Sequence, residues 1–238
     1  MTMRFSVLRW LRWPARVVLA SAALLSSYAL LAYVLLPASW RLQKMPFATP
    51  PLSRVTYTAE GIPSDPLNIA LVGTREEVVA AMRQAGWHQA DVITFVSGWK
   101  DAQSVLLNRP YPTAPMSTQY VWNRPQDLAF EQAVGTSPRR RHHVRFWRMR
   151  SEPSGRTLWV GAATFDLYVG VSHFTGEVMH HIDPEVDAER DKVLADLSRA
   201  GRLGEVRAVD GFRPSGPGQN CAGDTYRSDG RLVIGSVR

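Results

Sequence analysis

The sequence predicts an α+β domain, a mostly antiparallel sheet covered on one face by helices, preceded by one N-terminal transmembrane helix. Two observations predict this. An uncharged run from Val17 to Leu36 is long enough, at about 1.5 Å per residue, to cross the roughly 30 Å hydrocarbon core. The rest of the 238-residue chain reads as strand, helix, strands, helix and strands, which favours helices packed on a single sheet.

The charge around the uncharged run predicts how it is oriented. The first sixteen residues contain no acid and four arginines, namely Arg4, Arg9, Arg12 and Arg16. Arg41 and Lys44 follow the run, so the positive-inside rule keeps residues 1–16 in the cytoplasm and sends the globular part outside it. The sequence therefore predicts a single-pass protein of the inner (plasma) membrane. A cleaved signal peptide is the alternative, although the run is long for one and the cleavage motif near Leu36 to Ser39 is poor.

The same tail explains much of the formal charge of +7. Removing its four arginines from the 28 basic residues leaves 24, against 21 acidic residues. The overall charge is therefore weak evidence for a nucleic-acid-binding surface, and we expect no nucleic-acid partner. The single cysteine, Cys221, excludes an intramolecular disulfide and a thiolate-rich metal site.

Residues 37–65 are rich in proline and predict a stiff, extended stalk, so the domain is expected to occupy residues 66–238. It begins with an apolar strand at Leu67 to Val72. A capping box at Thr74 to Glu77 starts a helix that Gly86 ends. A second helix is predicted from Ser97 to Leu107.

The middle of the domain predicts strands joined by turns that contain proline, glycine and acids, which favours antiparallel pairing. The predicted strands are Ser117–Trp122, Leu128–Val134, His142–Arg148, Leu158–Phe165 and Val178–Ile182. Asp183 then resembles an N-cap, with Pro184 as the first residue of a helix that continues to Ala200. Val206–Val209 and a final hairpin ending in Leu232–Ile234 complete the domain.

Histidines are concentrated in one part of the chain, since five of the six lie between His142 and His181. Side chains alternate between the two faces of a strand. His142 and His180 alternate in step with apolar neighbours and are expected in the core or against a helix. His143 and His181 are expected on the polar faces, together with Arg145 and Asp183 respectively.

We therefore expect His143, His173, His181 and Asp183 to converge as candidate catalytic or binding residues. Imidazole and carboxylate groups suit a general acid and base pair, or a zinc or manganese ion. A purely structural role in hydrogen bonding is the alternative. If these histidines bind an anion, its affinity should rise on mild acidification as they gain charge near pH 6.5.

Arginines near the same strand predict an anion-binding function, with Arg141 and Arg145 as candidate ligands of a phosphate or carboxylate. Anionic lipid or a phosphorylated envelope ligand are the expected partners. The alternative is that the cations protect a strand edge against aggregation. No cofactor is predicted, and a divalent metal is left as an alternative.

Several segments together resemble the LssY C-terminal domain family of bacteria, over residues 65–201. The segments that carry the resemblance are Asp65–Asn68 (DPLN), Ala85–Trp87 (AGW), Arg109–Pro115 (RPYPTAP), Gln126–Glu131 (QDLAFE), Arg141–Trp147 (RHHVRFW), Gly161–Asp166 (GAATFD), His180–Pro184 (HHIDP) and Asp187–Asp191 (DAERD). The resemblance implies an association with polytopic membrane modules of the DedA and phosphatidic-acid-phosphatase-like types, and so with envelope lipids. It carries no catalytic residue over to this chain.

Two functions remain open from the sequence. The first is a membrane-anchored, extracytoplasmic domain that binds an anionic envelope ligand or a membrane partner. The second is an envelope hydrolase, with or without a bound metal, that uses a cluster of histidine and aspartate. No nucleophile motif or complete metal motif is recognisable, so the sequence does not establish that the protein is an enzyme.

Overall fold

The computed structural model describes residues 7–42, 54–107, 109–135, 137–151 and 155–238. It confirms the predicted class, because helices cover one face of a mostly antiparallel sheet and one apolar helix precedes the domain. The helices are α1 (Val7–Leu30), a π-helical turn (Leu31–Leu35), α2 (Leu36–Leu42), α3 (Arg75–Gln84), α4 (Phe95–Leu107) and α5 (Val186–Arg199). The strands are β1 (Val55–Tyr57), β2 (Pro63–Pro66), β3 (Ile69–Gly73), β4 (His88–Gln89), β5 (Tyr120–Val121), β6 (Arg124–Pro125), β7 (Leu128–Val134), β8 (Ser137–Ser151), β9 (Thr157–Val171), β10 (Val178–Ile182), β11 (Leu203–Val209), β12 (Gly216–Gln219), β13 (Thr225–Ser228) and β14 (Leu232–Val237).

The N-terminal helix is long and apolar enough to cross a membrane between Trp13 and Leu42. Its π-helical turn lies just before Pro37, whose missing N–H and ring disfavour ordinary helix geometry in the preceding turn. Here the backbone N–H of Leu36 donates to the carbonyl of Leu31, five residues back. The widened turn contains Tyr33, which points to the globular part.

The helix packs against the segment that joins β9 to β10. Tyr28 donates a hydrogen bond to the carbonyl of Gly176 at 2.7 Å, and the backbone N–H of Val178 donates to the Tyr33 hydroxyl at 3.1 Å. The Trp40 indole donates to the Phe174 carbonyl at 3.3 Å. These contacts place the globular domain beside the second half of the apolar helix.

The expected stalk at residues 37–65 is not an extended spacer where the structure describes it. Leu36–Leu42 continue the helix, while Val55–Tyr57 and Pro63–Pro66 pair as strands. Thr56, Ser64 and Asp65 are buried there. Prolines at the ends of a short edge strand are compatible with a sheet, which explains why a proline-rich composition was misleading. Residues 43–53 lie outside the described residues.

The main sheet has the strand order β11-β14-β3-β9-β8-β7-β4, and β10 pairs with β9. The predicted strands at His142–Arg148, Leu158–Phe165 and Val178–Ile182 therefore lie in one antiparallel arrangement, as expected. β14 and β3 run parallel. A smaller sheet, in the order β2-β1-β5-β6, contains the predicted strand at Ser117–Trp122 as the short β5.

Each face of the main sheet has its own apolar core. Helices α3 and α5 cover one face through residues such as Met82 and Leu197, which pack with Val144 and Phe146 of β8. The other face buries Trp147 of β8 against residues of β3, β9 and β14 and Val121 of the smaller sheet. Successive residues of β8 thus point into two different layers.

Two helix boundaries test the sequence signals. Thr74 forms the predicted capping box, because its hydroxyl accepts from the Glu77 N–H and the Glu77 carboxylate accepts from the Thr74 N–H. The predicted start of α5 is wrong by two residues, since Glu185 is the N-cap and Val186 begins the helix. The Asp183 carboxylate instead accepts from the Glu185 N–H at 2.8 Å, a local turn that precedes the helix.

Candidate functional site

A polar cleft of about 340 Å³ lies on the side of the main sheet away from α3 and α5. Its size falls in the range of about 300–1,000 Å³ that is usual for small-molecule sites. We call it the arginine cleft, and define it by the polar residues that line it: Ser64, Asp65, Asp101, Ser117, Gln119, Arg141, His143, Arg145, Thr164, Asp166, Glu177, His180, Asn220 and Cys221. Tyr33 of the N-terminal helix also lines it.

Strand β8 supplies the centre of the cleft through the alternation of its side chains. Val144 and Phe146 face the helices, so Arg141, His143 and Arg145 face the opposite side. All three residues are buried, with only 3–5% of the surface of each exposed to solvent. On this face, β8 buries Trp147 at one end. Toward its other end the same face presents two guanidinium groups and one imidazole, those of Arg145, Arg141 and His143.

Arg141 is held by groups from several elements. Its Nη1 lies 3.3 Å from Glu131 Oε2 of β7 and 3.5 Å from Asp101 Oδ1 of α4. Its Nη2 lies 3.0 Å from Nε2 of His180 on β10. These contacts fix the guanidinium where β7, α4 and β10 meet, since a planar fork is oriented by contacts on both of its arms.

Arg145 lies against the smaller sheet. Its Nη1 is 3.4 Å from Asp65 Oδ2, and its Nη2 donates to the Ser117 hydroxyl at 3.2 Å. Gln119 fixes Asp65 from the other side by donating to the same carboxylate oxygen at 2.7 Å. The charge of Arg145 is therefore partly balanced by one carboxylate.

Asp166 lies between the two histidines of the cleft. Its Oδ2 is 3.3 Å from His143 Nδ1 and 3.7 Å from His180 Nδ1. Among the described residues Oδ2 makes no hydrogen bond, so Asp166 is near both rings without being bonded to either. The other nitrogen of His143, Nε2, has no hydrogen-bond partner among the described residues, and 3.8 Å separate it from Glu131 Oε2.

Burial shifts the protonation of this cluster. It raises the pKa of Glu131 and that of Asp166 to about 8 each, against the opposing effect of the Arg141 charge. Burial, with Arg141 and Arg145 nearby, lowers the pKa of His143 well below its usual range and that of His180 to about 3. At neutral pH both acids are mostly protonated and both imidazoles are neutral, so the arginines carry the positive charge.

The structure brings only part of the predicted histidine cluster together. His143 lines the arginine cleft with Arg141 and Arg145, whereas His173, His181 and Asp183 are outside its lining. His181 is buried beside Asp224, with 2.7 Å between Nδ1 and Oδ1, and stacks on Tyr168 at 4.7 Å. His173 lies near His181, 6.1 Å between ring centres. The expected single concavity of all four residues is therefore wrong.

His180 takes the place that was expected of His181. Along the β9–β10 pair, His181 is opposite Tyr168 and Ile182 is opposite Asp166, so Leu167 of β9 has no partner. Beyond such a bulge, each side chain lies on the face opposite to the one that simple alternation predicts. The apolar neighbours Val178 and Ile182 that suggested a core position for His180 line the cleft with it. His142 faces the helices as predicted, 2.7 Å from Glu189 of α5.

Sequence reasoning missed four acids of the site, namely Asp65, Asp101, Glu131 and Glu177. Glu131 is fully buried behind Arg141, and a charge within the apolar run of β7 was the available signal, because an unpaired buried charge is too costly to be accidental. Asp65 was placed in the stalk, and Asp101 fell within the predicted helix Ser97–Leu107 without being assigned to a site. Their convergence depends on the smaller sheet and on α4, which local patterns do not specify.

The described part of the chain offers no group of three or more His, Cys, Asp or Glu side chains that would hold a metal ion. The structure therefore gives the metal alternative no ligand set. Burial and the nearby Asp65 raise the pKa of Cys221 to about 12, so its thiol is protonated and is a poor nucleophile.

The geometry of this domain can be compared with known proteins. Residues 49–232 match the family described as LssY C-terminus. The chain belongs to the LssY C-terminus family. The match spans every residue of the arginine cleft except Tyr33, so this LssY C-terminus domain contains the site and the N-terminal helix adds one residue to its wall. No curated protein and no solved structure matches the chain.

The segments that carried the resemblance have identifiable structural places. Asn68 is fully buried and joins three elements, donating to the carbonyls of Ala163 and Val186 and accepting from the Ala163 N–H. Trp87 donates to Asp196 of α5 at 3.0 Å. These residues of the LssY C-terminus domain hold the sheet and α5 together, whereas Arg141, His143 and Arg145 line the cleft.

Proposed function

We propose that this chain is a membrane-anchored LssY C-terminus domain whose arginine cleft binds a phosphate-bearing ligand. The observation that carries the proposal is the pair Arg141 and Arg145, two buried guanidinium groups on one strand face. The Nε of each has no hydrogen-bond partner in the part of the chain that the structure describes. Buried donors are normally satisfied, so an acceptor bound in the cleft is the simplest partner for them.

The charge balance supports an anion. With Glu131 and Asp166 mostly protonated at neutral pH, the remaining carboxyl groups of the cleft are those of Asp65, Asp101 and Glu177. Burial raises the pKa of Glu177, which weakens its negative charge beside the two guanidinium groups. Burial also raises the pKa of Asp101, which weakens its negative charge further. A protonated carboxyl and a neutral imidazole donate hydrogen bonds, so the cleft presents several donors to a phosphate.

We place the domain outside the cytoplasm, at the surface of the plasma membrane. The arginines that precede the apolar helix support this orientation through the positive-inside rule. The contacts of Tyr28, Tyr33 and Trp40 with the β9–β10 connection support a domain that lies close to the bilayer. Tyr33 lines the cleft, so the mouth of the cleft lies near the C-terminal half of the apolar helix.

Hydrolysis of a phosphate ester is a second candidate function. The observation that favours it is His143, whose Nδ1 lies 3.3 Å from Asp166 while Nε2 is free among the described residues. The unpaired ring nitrogen can accept a proton, although the lowered pKa of His143 makes it a weak base, and an acid with a pKa of about 8, such as Glu131, is suited to donate a proton. Release of inorganic phosphate from phosphatidic acid, lost in Glu131→Gln, would establish this function.

The binding proposal is tested with the full chain in phospholipid nanodiscs. One arm titrates glycerol phosphate into nanodiscs of phosphatidylcholine and measures heat by calorimetry. The other replaces part of the phosphatidylcholine by phosphatidic acid and measures the rise in thermal stability that a ligand of the folded state produces. A response in the first arm indicates a free phosphate ester as ligand, and a response only in the second indicates a lipid headgroup.

Two variants make the test specific to the cleft. Arg145→Gln should abolish or strongly weaken the response, because it removes one of the two cations. Arg207→Gln, an exposed position on β11 at the far edge of the main sheet, is the matched control and should respond like the parent. Equal responses in both variants, or no response in either arm, would exclude phosphate binding in the cleft.

A further inference from the structure

Helix α4 has the reverse of the polarity expected for a helix on a soluble domain. Its buried residues are Ser97 and Ser104, two turns apart on one face. The Ser97 hydroxyl donates to the Val92 carbonyl at 2.8 Å, and the Ser104 hydroxyl donates to the Arg109 carbonyl at 2.5 Å. Asp101 lines the arginine cleft. The polar face of α4 therefore packs on the protein.

The opposite face is apolar and exposed. Phe95 is 89% exposed, Leu106 79% and Trp99 60%, and the spacing of these three residues places them on one side of the helix. Val96 and Leu107 widen this face, and Val92 and Ile93 extend it into the segment before the helix. Large apolar side chains gathered in this way mark a surface that is covered by a partner.

Helix α4 and the N-terminal helix border the same cleft. Asp101 of α4 and Tyr33 of the N-terminal helix line the same cleft of about 340 Å³, so the two helices are separated by no more than this cleft. Because that helix is long and apolar enough to cross a bilayer, a bilayer around it would offer a lipid surface close to α4.

Exposed cations border the apolar face. Lys100 lies on α4, and Arg109 follows the helix. Arg139 donates to the Val105 carbonyl of α4 at 3.2 Å, and its neighbour Arg140 is also exposed. An apolar helix face flanked by Lys and Arg is the pattern of helices that lie in the headgroup region of a bilayer, and each such cation contributes about 1 kcal/mol near anionic lipid.

We infer that α4 is an interfacial helix, which inserts the face formed by Phe95, Trp99 and Leu106 into the same bilayer that the N-terminal helix crosses. The domain is then held at two places, and the arginine cleft opens at the membrane surface between them. The inference concerns the lipid bilayer as the partner of α4, and it does not depend on which ligand the cleft binds.

The depth of α4 can be measured by spin labelling of the full chain in vesicles of phosphatidylcholine and phosphatidylglycerol. Phe95→Cys and Leu106→Cys carry the label on the apolar face, and Glu205→Cys carries it on β11, at the opposite edge of the main sheet. Parent protein treated with the same label shows how much signal comes from Cys221. Oxygen concentrates in lipid and a nickel chelate stays in water, so their relative effects on relaxation report depth.

The inference predicts that the labels at positions 95 and 106 shift toward oxygen and away from nickel, while the label at 205 remains accessible to nickel. Nickel accessibility at both α4 positions would overturn it, because the face would then lie in water. Spectral broadening at these positions that disappears on mixing with unlabelled chain would also overturn it, since a second copy would then cover the face. Phosphate binding is not part of this readout, so the two proposals can fail separately.

Discussion

Glu131 is the residue that should give the cleft its pH dependence. It faces Arg141, His143 and Asp101, and its pKa of about 8 means that it is mostly neutral at pH 7. As the pH rises through about 8, Glu131 acquires a negative charge that opposes a bound anion. We therefore expect phosphate affinity to fall between pH 7 and 9.

The ligand itself does not cause this fall, since a phosphate monoester has its second pKa near 6 and is already fully charged. Asp166, which faces Arg141, Arg145, Asp65, His143 and His180, adds to the effect with a similar pKa. In Glu131→Gln the decline between pH 7 and 9 should be shallower, as calorimetry over that range would show. An identical slope in the variant and the parent would contradict the role of Glu131.

This pH dependence differs from the one that the sequence predicted. Histidines titrating near pH 6.5 were expected to strengthen binding on mild acidification. In the folded protein the pKa values of His143 and His180 are too low for that. The direction is unchanged, because affinity still rises as the pH falls, but buried carboxyl groups cause it and its centre moves to about pH 8.

A comparison of two histidine variants tests where the site lies. His143→Gln removes an imidazole that lines the cleft, and a neutral hydrogen bond is worth about 0.5–1.5 kcal/mol, so affinity for phosphate should fall about 2–10-fold. His181→Gln changes an imidazole that contacts Asp224 outside the cleft, and affinity should stay at the parent value. Thermal unfolding of both variants separates a loss of binding from a loss of folding. The reverse order of effects would contradict the assigned cleft.

At the scale of secondary-structure elements, Asn68 joins β3, β9 and α5. Asn68→Ala removes three buried hydrogen bonds and leaves the Val186 carbonyl and the Ala163 backbone groups without these partners. We expect the free energy of unfolding to fall by about 2–4 kcal/mol. Thr74→Ala, which removes only the cap of α3, should cost about 1 kcal/mol. Thermal denaturation in detergent compares the stability losses of the two variants. An equal loss in both would contradict this role of Asn68.

Local signals predicted the elements that depend on near neighbours. The capping box at Thr74 and the alternation of Val144 and Phe146 were sufficient to place α3 and the helix-facing side of β8. The site depended on contacts that no local pattern specifies. Because Leu167 has no opposite residue on β10, His180 and not His181 lies on the cleft side of that strand. Residues Val55–Tyr57 and Pro63–Pro66 form strands of the smaller sheet in spite of their prolines, and they bury Thr56 and Asp65.

At the scale of the whole molecule, the orientation of the anchor is the first prediction. Reporter fusions after Ser53 should be active when the reporter requires export and inactive when it requires the cytoplasm, because the arginines precede the apolar helix. Replacing Arg4, Arg9, Arg12 and Arg16 by glutamine should weaken this preference. Activity of only the cytoplasmic reporter in the parent would reverse the topology.

The whole-molecule arrangement also relates the anchor to the cleft. Tyr28, Tyr33 and Trp40 hold the β9–β10 connection against the helix, and Val178 and His180 of β10 line the cleft. The cleft is thus positioned relative to the apolar helix by the same strand that completes its wall. A phosphate group at that position is the central claim to be tested.

The most direct test is a solid-state NMR measurement of the distance between the ligand phosphorus and the arginine side-chain nitrogens. The full chain, with ¹⁵N-labelled guanidinium groups, is bound to phosphatidic acid in bilayers. We predict dephasing of the phosphorus signal of the bound lipid, since charge-assisted hydrogen bonds bring the phosphate oxygens to about 2.7–2.9 Å from these nitrogens. The dephasing should be lost in the double variant Arg141→Gln, Arg145→Gln. Dephasing that persists in the double variant, or that is absent from the parent with the lipid bound, would contradict phosphate binding in the arginine cleft.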